Sequence, residues 1–251
     1  IINGRRKERL TELQLQLQQQ FGTKVLALEF DVQDKQAVFA AVENLAPEWQ
    51  QVDVLVNNAG LALGRDYFDE ADMDDWETML DTNVKGLLYV SRAVIPLMKQ
   101  HQTGHIINIG STAGKEVYEK GNVYCASKFA VEALADTLRM ELQGSGIHVV
   151  LIEPGPIATR FVERAIEAYR RNVDLEASHH RDIYKARIAR MEEGGKQTYK
   201  LGPEAVVAKL VHALDSPRPK FRYYVTLPAY AVALLRRLLP ARALDAVARR
   251  N

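Results

Sequence analysis

The chain has 251 residues, 47% of them hydrophobic and 26% charged, a composition that supports a soluble globular fold with a sizeable core. Thirty-three Lys+Arg stand against thirty-two Asp+Glu, which excludes the strongly basic balance of a nucleic-acid binder. The single cysteine, Cys125, excludes an intrachain disulfide and suits a reducing compartment, and no run approaches the roughly 20 apolar residues of a membrane span.

In chain order, IIN (1–3) reads as the end of a strand and RKERLTELQLQLQQQ as a helix. KVLALEF (24–30) is a strand, and DKQAVFAAVENLA (34–46) is helical. VDVLVNNAG (52–60) is a buried strand that runs into a glycine turn. Residues 74–101 read as one helix, with Pro96 a potential kink. HIINIGS (105–111) is a strand, Asn122 to Leu142 a helix ended by GSG, and IHVVLIEPG (147–155) another buried strand. These strands are continuous apolar runs separated by helices, the pattern of a parallel sheet covered on both faces. The expected fold class is therefore α/β, a Rossmann-like doubly wound parallel sheet whose ligand sits at the carboxyl ends of the strands.

Residues 156–202 interrupt that rhythm with a charged insertion, in which FVERAIEAYRR and HRDIYKARIARMEE have helical patterns. PEAVVAKLVHAL (203–214) is a helix with proline in its first turn. FRYYVTL (221–227) reads as a last strand, and residues 228–251 form an amphipathic tail. One domain over residues 1–251 is expected.

The strand ends carry the candidate chemistry. NNAG (57–60) ends one strand, DTNVKG (81–86) lies on the next helix, and INIGSTAG (107–114) ends the next strand. Tyr124 follows Ser111 by thirteen residues, and Lys128 lies four further on, about one helical turn, so the two share a face. By itself that pair is also what a helix surface produces by chance. EPGPIAT (153–159) ends the following strand.

Together, in this order and spacing, these motifs resemble the short-chain dehydrogenase/reductase family. The resemblance implies an oxidoreductase that interconverts an aldehyde or ketone with an alcohol by hydride transfer, and no metal site. It implies Tyr124 as general acid/base, with its pKa lowered by the ammonium of Lys128. Ser111 would hold the substrate oxygen, and Asn83 would organise a water that relays protons through Lys128. Lys128 would also bond the nicotinamide ribose. Asn57, Ala59 and Gly60 would line the adenosine side of the cofactor, Asp31 and Val32 the adenine. Pro154, Gly155, Ile157 and Thr159 would hold the nicotinamide. The strand before the first helix ends in NGRRK with no acid. Arg5, assisted by Arg6, therefore suits a 2′-phosphate, and NADP(H) is the expected cofactor.

The family's T-G-x-x-x-G-x-G loop is not in the sequence. The resemblance accordingly implies that about 30 residues of a βαβ opening precede Ile1 and that the chain is N-terminally incomplete. A degenerate chain serving as a binding or assembly partner is the other reading. Up to Leu142 the sequence resembles dehydrogenases of serine and other 3-hydroxy acids. From Ile147 it resembles aldehyde, retinol and steroid-type reductases. Phe161, Ile166, Tyr169, Ile183 and Tyr184 have the spacing of core residues as well as of a pocket; as pocket they lean toward a hydrophobic carbonyl substrate, whereas a small hydroxy acid would need a cation such as Arg160 or Arg164, which also fit a solvated helix face. A cytoplasmic homodimer or homotetramer is expected, with peripheral membrane contact by the tail left open.

Overall fold

The computed structural model describes residues 1–63, 66–159, 167, 178–192 and 199–248. The expected helix over residues 161–171, and with it Arg160, Phe161, Arg164, Ile166 and Tyr169, lies outside the described residues, apart from the single helical position Glu167.

The described residues hold six strands: β1 (Ile2–Gly4), β2 (Ala27–Glu29), β3 (Val54–Asn57), β4 (Gly104–Ile109), β5 (Ile147–Glu153) and β6 (Arg222–Tyr224). All pair in parallel, in two sheets of order β1-β2 and β3-β4-β5-β6. The helices are α1 (Lys7–Phe21), α2 (Lys35–Glu43), α3 (Met73–Leu80), α4 (Leu87–His101), α5 (Asn122–Glu141), α6 (Arg181–Glu192), α7 (Glu204–Asp215), α8 (Leu227–Leu238) and α9 (Ala241–Ala248). This is the Rossmann-like α/β architecture that the alternation of apolar runs and helices anticipates.

Successive residues of a strand point to opposite faces, and β4 and β5 use this to build two cores. Ile106, Ile147 and Val149 pack with Val94 and Met98 of α4. Ile107, Val150 and Ile152 pack instead with Ala213 of α7 and with Tyr223 and Val225. A third cluster seats Val131 and Ala135 of α5 on Leu151. The apolar runs are continuous because both faces of these strands are covered.

Among the described residues no strand pairing joins the two sheets. The loop after β2 makes the connection: Gln33 Nε2 donates to Thr82 Oγ1 at 2.7 Å, and Val32 lies where a side chain on Gly86 would have to go. Helix α2 also packs on α4. The edge of β3 is left open, with Val54 and Val56 exposed.

The long helix expected over residues 74–101 runs without a gap, with Pro96 inside α4, but it is not regular throughout. The irregular stretch is a π-helical turn, Asp81–Gly86, a geometry that recurs at functional sites. The other differences are short extensions: β2 pairs over three residues only, and Leu227 starts a helix instead of ending a strand. Ile106 is fully buried between helix and sheet. Ile106→Ala should lower unfolding free energy by about 2–5 kcal/mol in urea titration; a loss below about 1 kcal/mol would mean this face is not a tight core.

Candidate active site

Helix α5 begins after a backbone bend in which Lys120 and Asn122 take positive φ angles of 66° and 26°. Asn122 compensates by donating from Nδ2 to the Asp66 carbonyl at 2.8 Å. The first turn of α5 is thereby fixed against the segment that follows NNAG. Tyr124 lies half-buried in that turn, and Lys128 lies one turn on, buried.

Lys128 donates from Nζ to the carbonyl of Ile109, at the end of β4, at 3.0 Å. A side chain on Gly60 would touch both this ammonium and Asn83 Oδ1. The NNAG turn therefore passes over the lysine and the asparagine at a distance that a Cβ would fill with ordinary van der Waals contact. Burial pulls the Lys128 ammonium down to about 8.

Asn83 lies in the π-helical turn, almost fully buried. Its Oδ1 accepts from Leu61 N–H at 2.9 Å, and its Nδ2 donates to the Leu61 carbonyl at 2.9 Å and to Ser127 Oγ at 3.0 Å. Ser127 Oγ in turn donates to the Tyr124 carbonyl at 2.7 Å. Asn83, the NNAG turn and the Tyr124 turn of α5 are thus one hydrogen-bonded unit. Sequence reasoning missed Ser127; its place three residues after Tyr124, on the same helix face, was the available signal.

Ser111 caps the 3-10 turn Thr112–Gly114, its Oγ accepting from Ala113 N–H at 3.2 Å. The next residue, Thr112, donates its N–H to the Pro154 carbonyl at 3.0 Å, which ties the serine turn to the PG loop after β5. Gly155 in that loop is pressed against Thr226, whose hydroxyl occupies the space a Cβ would need. Ile157 packs against the second core cluster and forms a bridge with Leu201. Thr159, near the start of the insertion, is exposed.

The remaining predicted residues fall at the same carboxyl edge but play unlike parts. Asn57 Nδ2 donates to Ser91 Oγ and Asn108 Oδ1, each at 2.9 Å, so its side chain joins β3 to β4 and α4. Ala59 and Gly60 expose their backbone. Arg5 follows β1, exposed, with Nη1 3.2 Å from Asp31 Oδ2. That contact orients the guanidinium at the edge of the small sheet. Arg6 occupies the N-cap position of α1 in extended backbone, its side chain making no capping bond, and Val32 packs toward Gly86. Cys125 is buried as a packing residue.

Behind the serine turn lies a charged cluster that sequence reasoning did not single out. Glu153, buried at the end of β5, stands 3.1 Å from Lys115 Nζ and 3.3 Å from Arg222 Nε. Lys115 also bridges Glu132 at 2.7 Å, and Arg222 forks onto Asp136 at 2.7 and 3.2 Å. Burial, with Glu132 nearby, pushes Glu153 up to about 7. The cluster locks α5, β5, β6 and the residue after the serine turn together.

A parallel sheet with these side chains collected at its carboxyl ends is the doubly wound, ligand-binding class of α/β protein. The short chain dehydrogenase family model matches residues 1–170. The NADP-dependent 3-hydroxy acid dehydrogenase YdfG of Salmonella typhi is 48% identical over 155 residues, 62% of this chain and 61% of that protein. Sulfoacetaldehyde reductase 2 of Chromohalobacter salexigens is 43% identical over 162 residues, 64% of each. Among solved structures, the closed form of serine dehydrogenase complexed with NADP+ superposes with a TM-score of 0.73 at 36% identity, over 89% of this chain and 83% of that one. The chain belongs to the short-chain dehydrogenase family. Its match to the curated relatives spans about 61% of their length.

The Lys128 value fixes a pH signature. Its folded pKa, about 8, lies below the ordinary 10.5, so between those pH values the unfolded chain binds more protons and stability rises with pH. The stability of the parent relative to Lys128→Met should therefore increase from pH 8 to 10.5, measured by denaturant titration. A pH-independent difference would place the ammonium in solvent.

Proposed function

We propose that this protein interconverts a carbonyl compound and an alcohol with NADP(H), using Tyr124 as the proton donor and acceptor. The observation that carries the reading is the buried Lys128 ammonium, held beneath Gly60 and beside Asn83, one turn from Tyr124 on α5. A buried ammonium is unfavourable for stability, and such groups gather where chemistry needs them.

The described residues suit a nicotinamide dinucleotide at two ends. Arg5, exposed after β1 and oriented by Asp31, offers a fork for a 2′-phosphate, with no acid in NGRRK to repel it. Asp31 and Val32 flank that edge, with Arg6 behind. At the other end Ala59 and Gly60 are exposed, and Pro154, Gly155, Ile157 and Thr159 form the loop proposed to face the nicotinamide, with Gly155 packed on Thr226. The nicotinamide, when bound, supplies or accepts the hydride. Lys128 binds the ribose and favours the charged form of Tyr124. Tyr124 gives its proton to the alkoxide oxygen in reduction and takes it back in oxidation. Ser111 orients the substrate oxygen, and Asn83 holds the turn and supports the water that refills Lys128. The NADP dependence of the 3-hydroxy acid dehydrogenase relative and the NADP+ bound in the serine dehydrogenase structure support this cofactor.

An aromatic wall stands beside the α5 bend. Tyr67 N–H donates to the Tyr184 hydroxyl at 2.9 Å, and Lys120 lies 4.7 and 5.0 Å from the two ring centres. Tyr184 is fully buried in it and presents no surface to a substrate, so the hydrophobic aldehyde, ketone or secondary alcohol rests on the resemblance of the second half of the chain. The 3-hydroxy acid named for the relatives favours a second reading, a small hydroxy acid dehydrogenase. A cytoplasmic homo-oligomer is the assembly that we assign.

Tyr124→Phe should reduce NADPH turnover with a panel of aldehydes at least ~100-fold while nicotinamide fluorescence still reports binding; retained turnover would remove Tyr124 from the mechanism. Arg5→Ala should weaken NADPH binding roughly tenfold and NADH binding little, read by the same fluorescence. Equal losses for both would assign Arg5 to something other than the 2′-phosphate.

A further inference from the structure

Helix α8 lies on the protein with an unusual division of its faces. Ala229 and Ala233 are buried against the body, and Arg236, itself exposed, lies along the same side, donating from Nη1 to the Lys115 carbonyl at 2.5 Å and covering the Phe129 ring. The opposite face carries Leu227, Tyr230, Leu234 and Leu238, between 49% and 68% exposed. Their spacing of three, four and four residues makes one stripe along the helix. Large apolar side chains aligned in solvent mark an interaction surface.

The surroundings of the stripe are basic. Residues 227–251 hold five arginines and one acid, Asp245, in a chain whose net charge is only +1; the other 226 residues are therefore net acidic. Arg237 and Arg242 are exposed. Next to Tyr230 lies an open cavity of about 360 Å³, lined also by Lys209, His212, Lys220, Tyr223 and Tyr224. Neither Lys209 nor Lys220 meets a carboxylate among the described residues. At about 1.5 Å per residue the stripe is about 16 Å long, too short to cross a bilayer but suited to lie in its interface. No described helix is long and apolar enough to cross a membrane.

We propose that α8 docks this protein on an anionic membrane surface, Leu227, Leu234 and Leu238 entering the acyl boundary while Arg237, Arg242, Lys209 and Lys220 meet phosphate headgroups. Anionic lipid attracts each such cation near the surface. A second copy of the chain suits the patch less well, because a two-fold contact sets the same surface against itself and would oppose its arginines to one another. Helix α8 is fastened to the active site, through Thr226 on Gly155 at its start and Arg236 on Lys115 near its end, so docking would set the orientation of the site to the membrane.

The test is flotation of the whole chain with vesicles of phosphatidylcholine alone or with about one part in three of phosphatidylglycerol. Binding to the anionic vesicles should be at least ~10-fold stronger than to the neutral ones and should weaken with salt. The double substitution Leu234→Glu/Leu238→Glu should reduce it at least ~10-fold with circular dichroism and thermal midpoint unchanged, since both side chains face away from the core. Arg237→Glu, a second variant that leaves the stripe intact, should weaken anionic binding alone. Absence of binding to either vesicle overturns the proposal. So does a parent oligomer that the double substitution splits while vesicle binding is missing, which would make the stripe a contact between copies.

Discussion

The arrangement depends on one buried positive charge. The Lys128 ammonium has lost most of its water and keeps a hydrogen bond to the Ile109 carbonyl. Three segments distant in sequence must meet for that position to exist: the end of β4, the glycine turn after β3, and the second turn of α5. Each is fixed by other contacts. Asn83 clamps the turn through Leu61, Ser127 joins Asn83 to the Tyr124 carbonyl, and Asn57 holds β3 to β4 and α4. The polar residues around the lysine are engaged in positioning it, and the energy lost in burying a cation is recovered in the packing of β4 and β5 on both faces.

A second charged cluster has a different part. Glu153, Lys115, Glu132, Arg222 and Asp136 sit behind the serine turn. A buried ion network of this kind adds little net stability over apolar packing, but it fixes geometry. Here it sets β6 and the residue after the serine turn against the strand that leads into Gly155. Thr112 bonding to Pro154 completes the frame. The small β1-β2 sheet stands apart from it, joined through Gln33, Val32 and the α2–α4 packing.

Much of this was legible in the sequence. The apolar runs gave the strands because both faces of β4 and β5 are covered, and the four-residue spacing of Tyr124 and Lys128 gave their common face because α5 is regular there. The π-helical turn was not legible. Its cause is tertiary: Thr82 and Asn83 bond to residues 49 and 22 positions away, and periodicity carries no trace of such partners. The same holds for Asn57, whose motif suggested a ligand contact while its side chain bridges strands. Glu153 looked like the polar end of an apolar strand; only the folding of Lys115 and Arg222 around it makes it a cluster. The outward leucines of α8 could be read as amphipathic pattern, but which face lies inward depends on Arg236 reaching Lys115.

The most direct measurement follows the hydride itself. NADPH deuterated at the transferable position of its nicotinamide ring would be incubated with this protein and a hydrophobic aldehyde, and the alcohol analysed by mass spectrometry. A reductase of the kind described places one deuterium on the carbinol carbon of the product. Unlabelled aldehyde recovered while the cofactor is demonstrably bound would contradict hydride transfer at the Tyr124–Lys128 site.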